Sequence, residues 1–206
     1  LRDEQDGFQR EIHSIENTPF RTKFEDDLAT FHGTCGIGCI SDTDPQPLLI
    51  RSRMGVFALT TVSAINNAEE LVKACFDGGD HQFMAMSSGK VNDTELIGAL
   101  ICQKDNFIDG IRYAQQMIDG SLTVLIMTEG GEIIAARDNR GRLPILIGKD
   151  ADGYCVSFES FAYQKLGYAD AYELGPGEIV SIKPDGYETL APAGDDMRVC
   201  AFMWVY

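Results

Sequence analysis

The sequence predicts one α+β domain in which antiparallel strands and a block of helices form separate layers. Its 206 residues suffice for one large domain, and 44% hydrophobic with 24% charged residues are typical of a globular chain. Apolar residues recur at helical spacing through 68–118, whereas short apolar segments separated by Gly or Asp-Gly turns follow from Leu122. No repeat or low-complexity linker divides the chain.

The N-terminal part is predicted to contain a few short elements. Residues 22–31 are expected to form a helix, because their carboxylates fall early, where the helix dipole favours them. The small apolar run 35–40 is expected to be a buried strand with close backbone approach at its glycines. Residues 42–47 predict a turn, and 47–51 with 55–62 predict a strand pair.

Three helices are predicted in the middle of the chain. The first is 68–76, capped by Asn66 or Asn67. The second is 93–102, which opens on an acidic capping cluster, and the third lies near 106–118. The later elements are predicted as strands at 122–127, 132–137, 144–148 and 154–158, a helix at 160–166, and a hairpin of 178–182 with 186–190.

The charge balance excludes two classes of partner. Lys plus Arg number 17 and Asp plus Glu number 32, so the net charge is −15. Such a surface repels nucleic-acid phosphates and anionic lipid, so neither nucleic acid nor a membrane is an expected partner. No apolar run approaches the roughly 20 residues of a membrane span. No signal peptide opens the chain, which starts at Leu1 without Met, and we expect a cytoplasmic protein.

The six cysteines are too sparse for a disulfide scaffold. Three lie among apolar residues and are expected to be small core residues: Cys75, Cys102 and Cys155. Cys35 and Cys39 are separated by three residues, and no second pair follows at zinc-ligand spacing. The three histidines show no partner pattern and are expected at the surface or in local hydrogen bonds: His13, His32 and His81.

The segment 137–149, Arg-Asp-Asn-Arg-Gly-Arg-Leu-Pro-Ile-Leu-Ile-Gly-Lys, carries the most specific signal in the chain. It resembles the Arg-Asp-Pro-x-Gly-x-Arg-Pro-Leu-x-x-Gly segment of class II glutamine amidotransferases. The order continues with Ser157-Phe-Glu-Ser-Phe-Ala162, Leu166-Gly167 and Pro176-Gly177-Glu178, as in the amidophosphoribosyltransferases of that family. Residues 200–206 are similar to the Cys-x-x-Glu-Tyr-x-Tyr at the junction of the family's two domains.

The resemblance implies a fold, an activity and partners. The fold is the N-terminal-nucleophile hydrolase-like αββα sandwich, two antiparallel sheets between helical layers. Residues 1–206 would be a class II glutamine amidotransferase-like domain, incomplete at its N-terminus, with a phosphoribosyltransferase domain after Tyr206. Such an enzyme transfers glutamine-derived ammonia to phosphoribosylpyrophosphate, the first step of purine biosynthesis. Its members are homo-oligomers with small-molecule substrates.

The resemblance places cofactors outside this chain. Mg²⁺ and, in some members, a [4Fe–4S] cluster belong to the full-length protein, and no cofactor is expected in residues 1–206 alone. Cys200 matches a position that ligates the cluster where one is present. Members without a cluster can carry this cysteine too, so an unligated cysteine is the favoured interpretation.

Glutamine hydrolysis in this family needs a cysteine as the first residue of the mature chain, with the α-amine as base. Two placements of that cysteine compete. In one, Cys35 is the nucleophile, exposed by removal of the 34 residues before it. In the other, which we favour, Gly36–Ile40 matches an internal strand of the family and the nucleophile lies upstream of Leu1. No His-Arg-Gly segment follows Cys35, which argues against the first placement.

Further positions of the glutaminase site are placed by alignment on the helix that begins at Ala68. Residues 61–64 then fall where the family has His-Asn-Gly-Asn, whose Asn side chain and Gly amide form the oxyanion hole. Val62 and Ser63 take those two positions, and Val62 has no side-chain donor. Ser41 replaces the family's substrate-gripping arginine.

Asp93 is the one carboxylate of this site that keeps its place. It would hold the substrate's α-ammonium group. The same residue is expected to be a helix N-cap, and the two roles can coexist.

The sequence therefore predicts the amidotransferase-type domain of an amidophosphoribosyltransferase-like enzyme, with a degraded glutaminase site. One alternative is an inactive scaffold or regulatory domain. The other is a free-standing amidohydrolase with Cys35 as its nucleophile.

Overall fold

The structure is a computed structural model and describes residues 1–3, 7–17, 19–42, 44–79, 82–87, 89–199 and 201. Four antiparallel sheets and five helices are present in these residues, and two of the sheets form the body of the fold. In chain order the elements are β1 (Arg2–Asp3), β2 (Gly7–Phe8), α1 (Phe20–Thr30), β3 (Leu48–Ser52), β4 (Gly55–Ile65), α2 (Ala68–Asp77), β5 (Met86–Ser87), β6 (Lys90–Val91), α3 (Asp93–Ile101), α4 (Phe107–Met117), β7 (Gly120–Thr128), β8 (Ile133–Ala136), β9 (Leu146–Lys149), β10 (Tyr154–Ser157), α5 (Ser160–Gln164), β11 (Ala169–Glu173), β12 (Ile179–Lys183) and β13 (Gly186–Ala191).

A six-stranded sheet, in the order β13-β12-β8-β7-β4-β3, is the centre of the domain. Its two longest strands, β4 and β7, pair without interruption from Phe57 opposite Thr128 to Ile65 opposite Gly120. The edge strand β3 is shorter, and its pairing with β4 ends at Leu48 opposite Leu59. Strand β3 therefore pairs only with the first half of β4. From Thr60 to Ile65, the edge of β4 that faces away from β7 has no strand partner among the described residues.

Helices α2, α3 and α4 cover one face of this sheet. Alternate side chains of β4 and β7 meet apolar side chains of α3 in one buried cluster that includes Phe57, Leu59 and Ile97. Burying each such side chain contributes about 1.5–3 kcal/mol. Gly110 brings α4 close to the end of α3, because a Cβ there would lie 2.5 Å from the carbonyl oxygen of Ile101.

The other face of the six-stranded sheet packs on a three-stranded sheet, β10-β9-β11. Val180 and Ile182 of β12 join Ile145, Ile147 and Leu174 in a second buried cluster between the sheets. Helix α5 lies against the three-stranded sheet. The layers are thus helices, sheet, sheet and helix, which confirms the predicted αββα fold.

Most predicted elements are present; the differences are one predicted strand that is missing and five short strands that were not predicted, namely β1, β2, β5, β6 and β11. Residues 36–40 do not form a strand; the only pairing there is a single bridge between Cys35 and Arg2, and Ile40 is 73% exposed. The glycines in this run lack side chains to pack, and no neighbouring strand of the described chain lies alongside it. Strand β11 was not predicted, because all five of its residues are exposed and no apolar alternation marks it.

The predicted core cysteines differ in burial. Cys75 is buried, whereas Cys102 and Cys155 are half-buried beside the clusters. Among the helices of the described residues, none combines the length and the hydropathy needed to cross a bilayer.

Candidate functional site

At Thr61, a side chain takes the place of a strand partner on the free edge of β4. Were β3 to continue backward in the same register, residue 46 would lie opposite Thr61. The Gln46 amide takes that place: its Oε1 accepts from the Thr61 N–H at 2.8 Å, and its Nε2 donates to the Thr61 carbonyl at 3.2 Å. A glutamine amide thus substitutes for a strand residue, leaving the rest of the β4 edge open beyond it.

The same edge is tied to the beginning of α3. The hydroxyls of Thr61 and Thr94 are 2.7 Å apart and buried. The Asn92 side chain donates to the Pro45 carbonyl at 3.4 Å, and the Asp93 N–H donates to the Asp44 carboxylate at 3.2 Å. These bonds bring together residues 44–47, 60–64 and 92–95, three segments far apart in sequence, which we call the β4-edge site.

Val62 and Ser63 lie on β4 within this site. Backbone N–H groups of a strand alternate in direction, so the Ser63 N–H points to the same edge as that of Thr61, two residues before it. The Val62 backbone faces β7, where Val62 is paired with Thr123. The Val62 side chain is hydrocarbon and can donate no hydrogen bond. The edge therefore offers a backbone donor at Ser63, and position 62 adds none from its side chain.

Asp93 is the first residue of α3, and the cap of this helix is Asn92. The Asn92 side chain accepts from the Glu95 N–H at 3.1 Å, so the prediction that Asp93 is the N-cap is wrong. Because Asn92 caps the helix, the Asp93 carboxylate is not needed as the cap. Burial and then the neighbouring Asp44 carboxylate raise the pKa of Asp93, and Lys90 opposes them. A cation placed between Asp93 and Asp44 would relieve this repulsion.

Cys35 lies at the other end of the sheet. Its thiol donates to the Gly131 carbonyl at 3.3 Å, in the turn after β7. The end of β7 at Thr128 is opposite Phe57, five residues before Val62, which is roughly 17 Å along the strand. Burial raises the pKa of the Cys35 thiol, the direction opposite to that which activates a nucleophile. The structure does not bring Cys35 to the β4-edge site.

Cys39 and Ser41 line a cavity of about 680 Å³, whose wall also includes residues 44–47 of the β4-edge site. The cavity lies between α1, the segment before it, and the sheet face at Ala58 and Met127. Burial raises the pKa of the Cys39 thiol. Cys200 and His81, also singled out in the sequence, lie outside the described residues.

The motif with the most specific resemblance is structural. Arg137 is 3% exposed and donates to the Glu173 carboxylate at 2.9 Å and to the carbonyls of Leu174 and Gly141. The turn that follows is organised by Asp138, whose carboxylate accepts the N–H groups of three residues: Leu122, Arg140 and Arg142. Arg137 and Asp138 therefore form a structural pair that holds this turn.

Two residues of the β4-edge site were missed as site residues. Residues 42–47, which include both Gln46 and Asp44, were predicted only as a turn. The register of β3 with β4 was the signal for Gln46, because residue 46 continues the strand pair by two positions. Nothing local marks Asp44, which approaches Asp93 across 49 residues of sequence.

No protein-family model matches the chain. The chain does match curated proteins. It is 32% identical over 165 residues to the amidophosphoribosyltransferase of Bacillus subtilis, and the match covers 78% of this chain and 33% of that protein. It is 28% identical over 221 residues to the amidophosphoribosyltransferase of Drosophila melanogaster, covering 90% of this chain and 39% of that protein. The chain thus spans about a third of the length of these relatives.

A solved structure has the same fold. The glutamine phosphoribosylpyrophosphate amidotransferase of B. subtilis, complexed with ADP and GMP, is similar with a TM-score of 0.67 at 30% identity. The match covers 79% of this chain and 35% of that one. The sequence and fold comparisons therefore agree on the same kind of relative.

Proposed function

Because the chain is a homologue of the amidophosphoribosyltransferases in sequence and fold, we propose that it is the glutamine amidotransferase-type domain of such an enzyme, with a degraded glutaminase site. The protein that carries it would make phosphoribosylamine from phosphoribosylpyrophosphate and ammonia, the first step of purine biosynthesis. A phosphoribosyltransferase domain would be its partner, and the acceptor chemistry would belong to that domain.

The observation that carries the proposal is the β4-edge site. Its hydrogen bonds join Thr61, the residue before Val62, to Thr94, the residue after Asp93, and join Asp93 to Asp44. This is the arrangement that amide hydrolysis requires, an oxyanion position next to a carboxylate for the substrate's ammonium group. We infer that the backbone donor at Ser63 is kept, whereas Val62 places a hydrocarbon side chain where the family has an asparagine donor.

The loss of this oxyanion donor determines how much glutamine hydrolysis the site can still catalyse. Removing one oxyanion donor typically lowers turnover about 100- to 1000-fold. The gripping arginine is also replaced, by Ser41, and the thiol of Cys35 lies at the far end of the sheet. Together the changes at positions 62 and 41 leave the site without one oxyanion donor and without the arginine anchor, while the nucleophile is expected upstream of Leu1.

The test compares two nitrogen sources in the protein that carries this domain. Phosphoribosylamine formation is measured with ammonia and with glutamine at matched concentrations. We expect product with ammonia and none above background with glutamine. Product from glutamine, accompanied by glutamate, would contradict the degraded site. No product from either source would instead support an inactive scaffold.

The free-standing amidohydrolase remains the second alternative. It requires that residues before Cys35 leave the fold. In the structure the Arg2 N–H donates to the Cys35 carbonyl at 2.8 Å, and the Leu1 amine donates to the Gln9 carbonyl at 2.9 Å. The first contact attaches Arg2 to the backbone of Cys35 itself, so removal of the residues before Cys35 would break this pairing, which counts against this alternative.

A further inference from the structure

Three metal-ligating side chains lie together on the N-terminal segment and α1. One ligand atom from each of Glu11, His13 and Asp27 lies within 4.8 Å of the other two. The closest pair is the His13 Nε2 and the Asp27 Oδ2, at 2.6 Å. The first two residues come from an extended segment and the third from a helix, so the fold assembles the group.

The histidine ring is held in its orientation by an aromatic neighbour. The His13 ring meets the Phe24 ring edge to face, with centroids 4.7 Å apart. Phe24 in turn packs on Phe20 of the same helix at 4.6 Å. The side chains of His13 and Asp27 are 29% and 21% exposed, so both are partly shielded from water. A ring fixed in this way presents its Nε2 at a defined place beside the carboxylate.

We propose that Glu11, His13 and Asp27 bind a divalent transition metal of the zinc class. An imidazole nitrogen and carboxylate oxygens are donors that zinc accepts, and three protein ligands leave a fourth position for water or another small ligand. Two carboxylates and a neutral imidazole balance the charge of the ion. Glu11 and His13 also line the 680 Å³ cavity, so the fourth position is open to it.

The metal-free geometry requires a small adjustment. Ligand atoms about 2.0–2.1 Å from a tetrahedral zinc ion are roughly 3.3 Å apart. The His13 and Asp27 atoms, at 2.6 Å, must therefore separate by about 0.7 Å, and any pair of ligand atoms that lies farther apart, up to 4.8 Å, must close. Rotation of the Asp27 carboxylate supplies this movement, because the side chain lies on the surface of α1.

Titration of the purified chain with ZnCl₂ in a calorimeter tests the proposal. We expect one ion per chain, and a dissociation constant at least about tenfold weaker in His13→Ala and in Asp27→Asn. His32→Ala is the matched control and keeps the affinity, because His32 is exposed and outside the group. Asp27→Asn preserves side-chain shape, and far-UV circular dichroism checks that each variant is folded.

Substitution by Co²⁺ identifies the donor atoms. The proposal predicts a bound-cobalt spectrum without the intense thiolate charge-transfer band. A thiolate band lost in Cys35→Ser or Cys39→Ser would overturn it, as would absence of binding, or equal weakening by His32→Ala. This inference is independent of the proposed function, since glutamine and phosphoribosylpyrophosphate take no part in the titration.

Discussion

Replacing Gln46 by alanine tests whether a side chain closes the β4 edge. The substitution removes both hydrogen bonds to Thr61, a residue that is 5% exposed. A buried N–H without a partner costs about 1–3 kcal/mol, and loss of the second bond adds about 1 kcal/mol. The expected loss of unfolding free energy is therefore about 2–4 kcal/mol.

Urea denaturation followed by circular dichroism measures this loss. With a urea slope of about 2 kcal/mol per molar, the midpoint should fall by about 1–2 M. Gln116→Ala on the exposed face of α4 is the control, and its midpoint should hardly change. A loss below about 0.5 kcal/mol for Gln46→Ala would show that the edge is stabilised in another way.

Four further substitutions test the packing and the electrostatics of the domain. Asp93→Asn should raise the urea midpoint at pH 7, because the raised pKa means that the folded state disfavours the charge. The gain should vanish as the pH falls below about 4, where the wild-type carboxyl is protonated in both states; a gain constant with pH would contradict this. Arg137→Met leaves two buried carbonyls without their donor and should cost about 2–5 kcal/mol in urea, whereas Glu173→Gln should cost less than about 1 kcal/mol, because Glu173 is half exposed. Gly110→Ala should cost about 1–3 kcal/mol and lower the thermal midpoint, since the backbone of Ile101 is in the way; an unchanged midpoint would show that α4 can shift.

The fold was predictable where the pattern is local. Helical spacing marked α2 to α4, and Gly or Asp-Gly turns marked β7 to β10, because each depends on neighbouring residues. The order of the layers was predicted from the family resemblance of the motif that begins at Arg137. Its physical basis became visible only in the structure, where Arg137 binds the carbonyl of Leu174 from the second sheet.

The misses share a cause, which is that the deciding partner lies far along the chain. Strand β11 forms because β9 offers an edge to it, while its own residues stay exposed. The run 35–40 has the composition of a buried strand, but within the described part of the chain no strand lies alongside it to pair with it. Asn92 rather than Asp93 caps α3, since the choice between adjacent capping residues depends on backbone angles that the sequence does not show.

The surroundings of His13 also depend on a partner that lies far along the chain. The sequence predicted a surface or locally bonded histidine, and the structure confirms a hydrogen bond to Asp27 fourteen residues away. Glu11 lies near His13 and Asp27 because the segment before α1 runs alongside that helix. Spacing alone could not have shown this, because the three residues do not follow a helical or strand interval.

Intact mass after incubation with a glutamine-like electrophile tests the degraded glutaminase site most directly. Such a reagent labels the thiol of a working site, because the site binds it as substrate and activates the sulfur. The account predicts that the residues before Cys35 stay attached and that the protein carrying this domain gains no label. A chain shortened to begin at Cys35 and carrying one label on that thiol would contradict it and make this domain a working glutaminase.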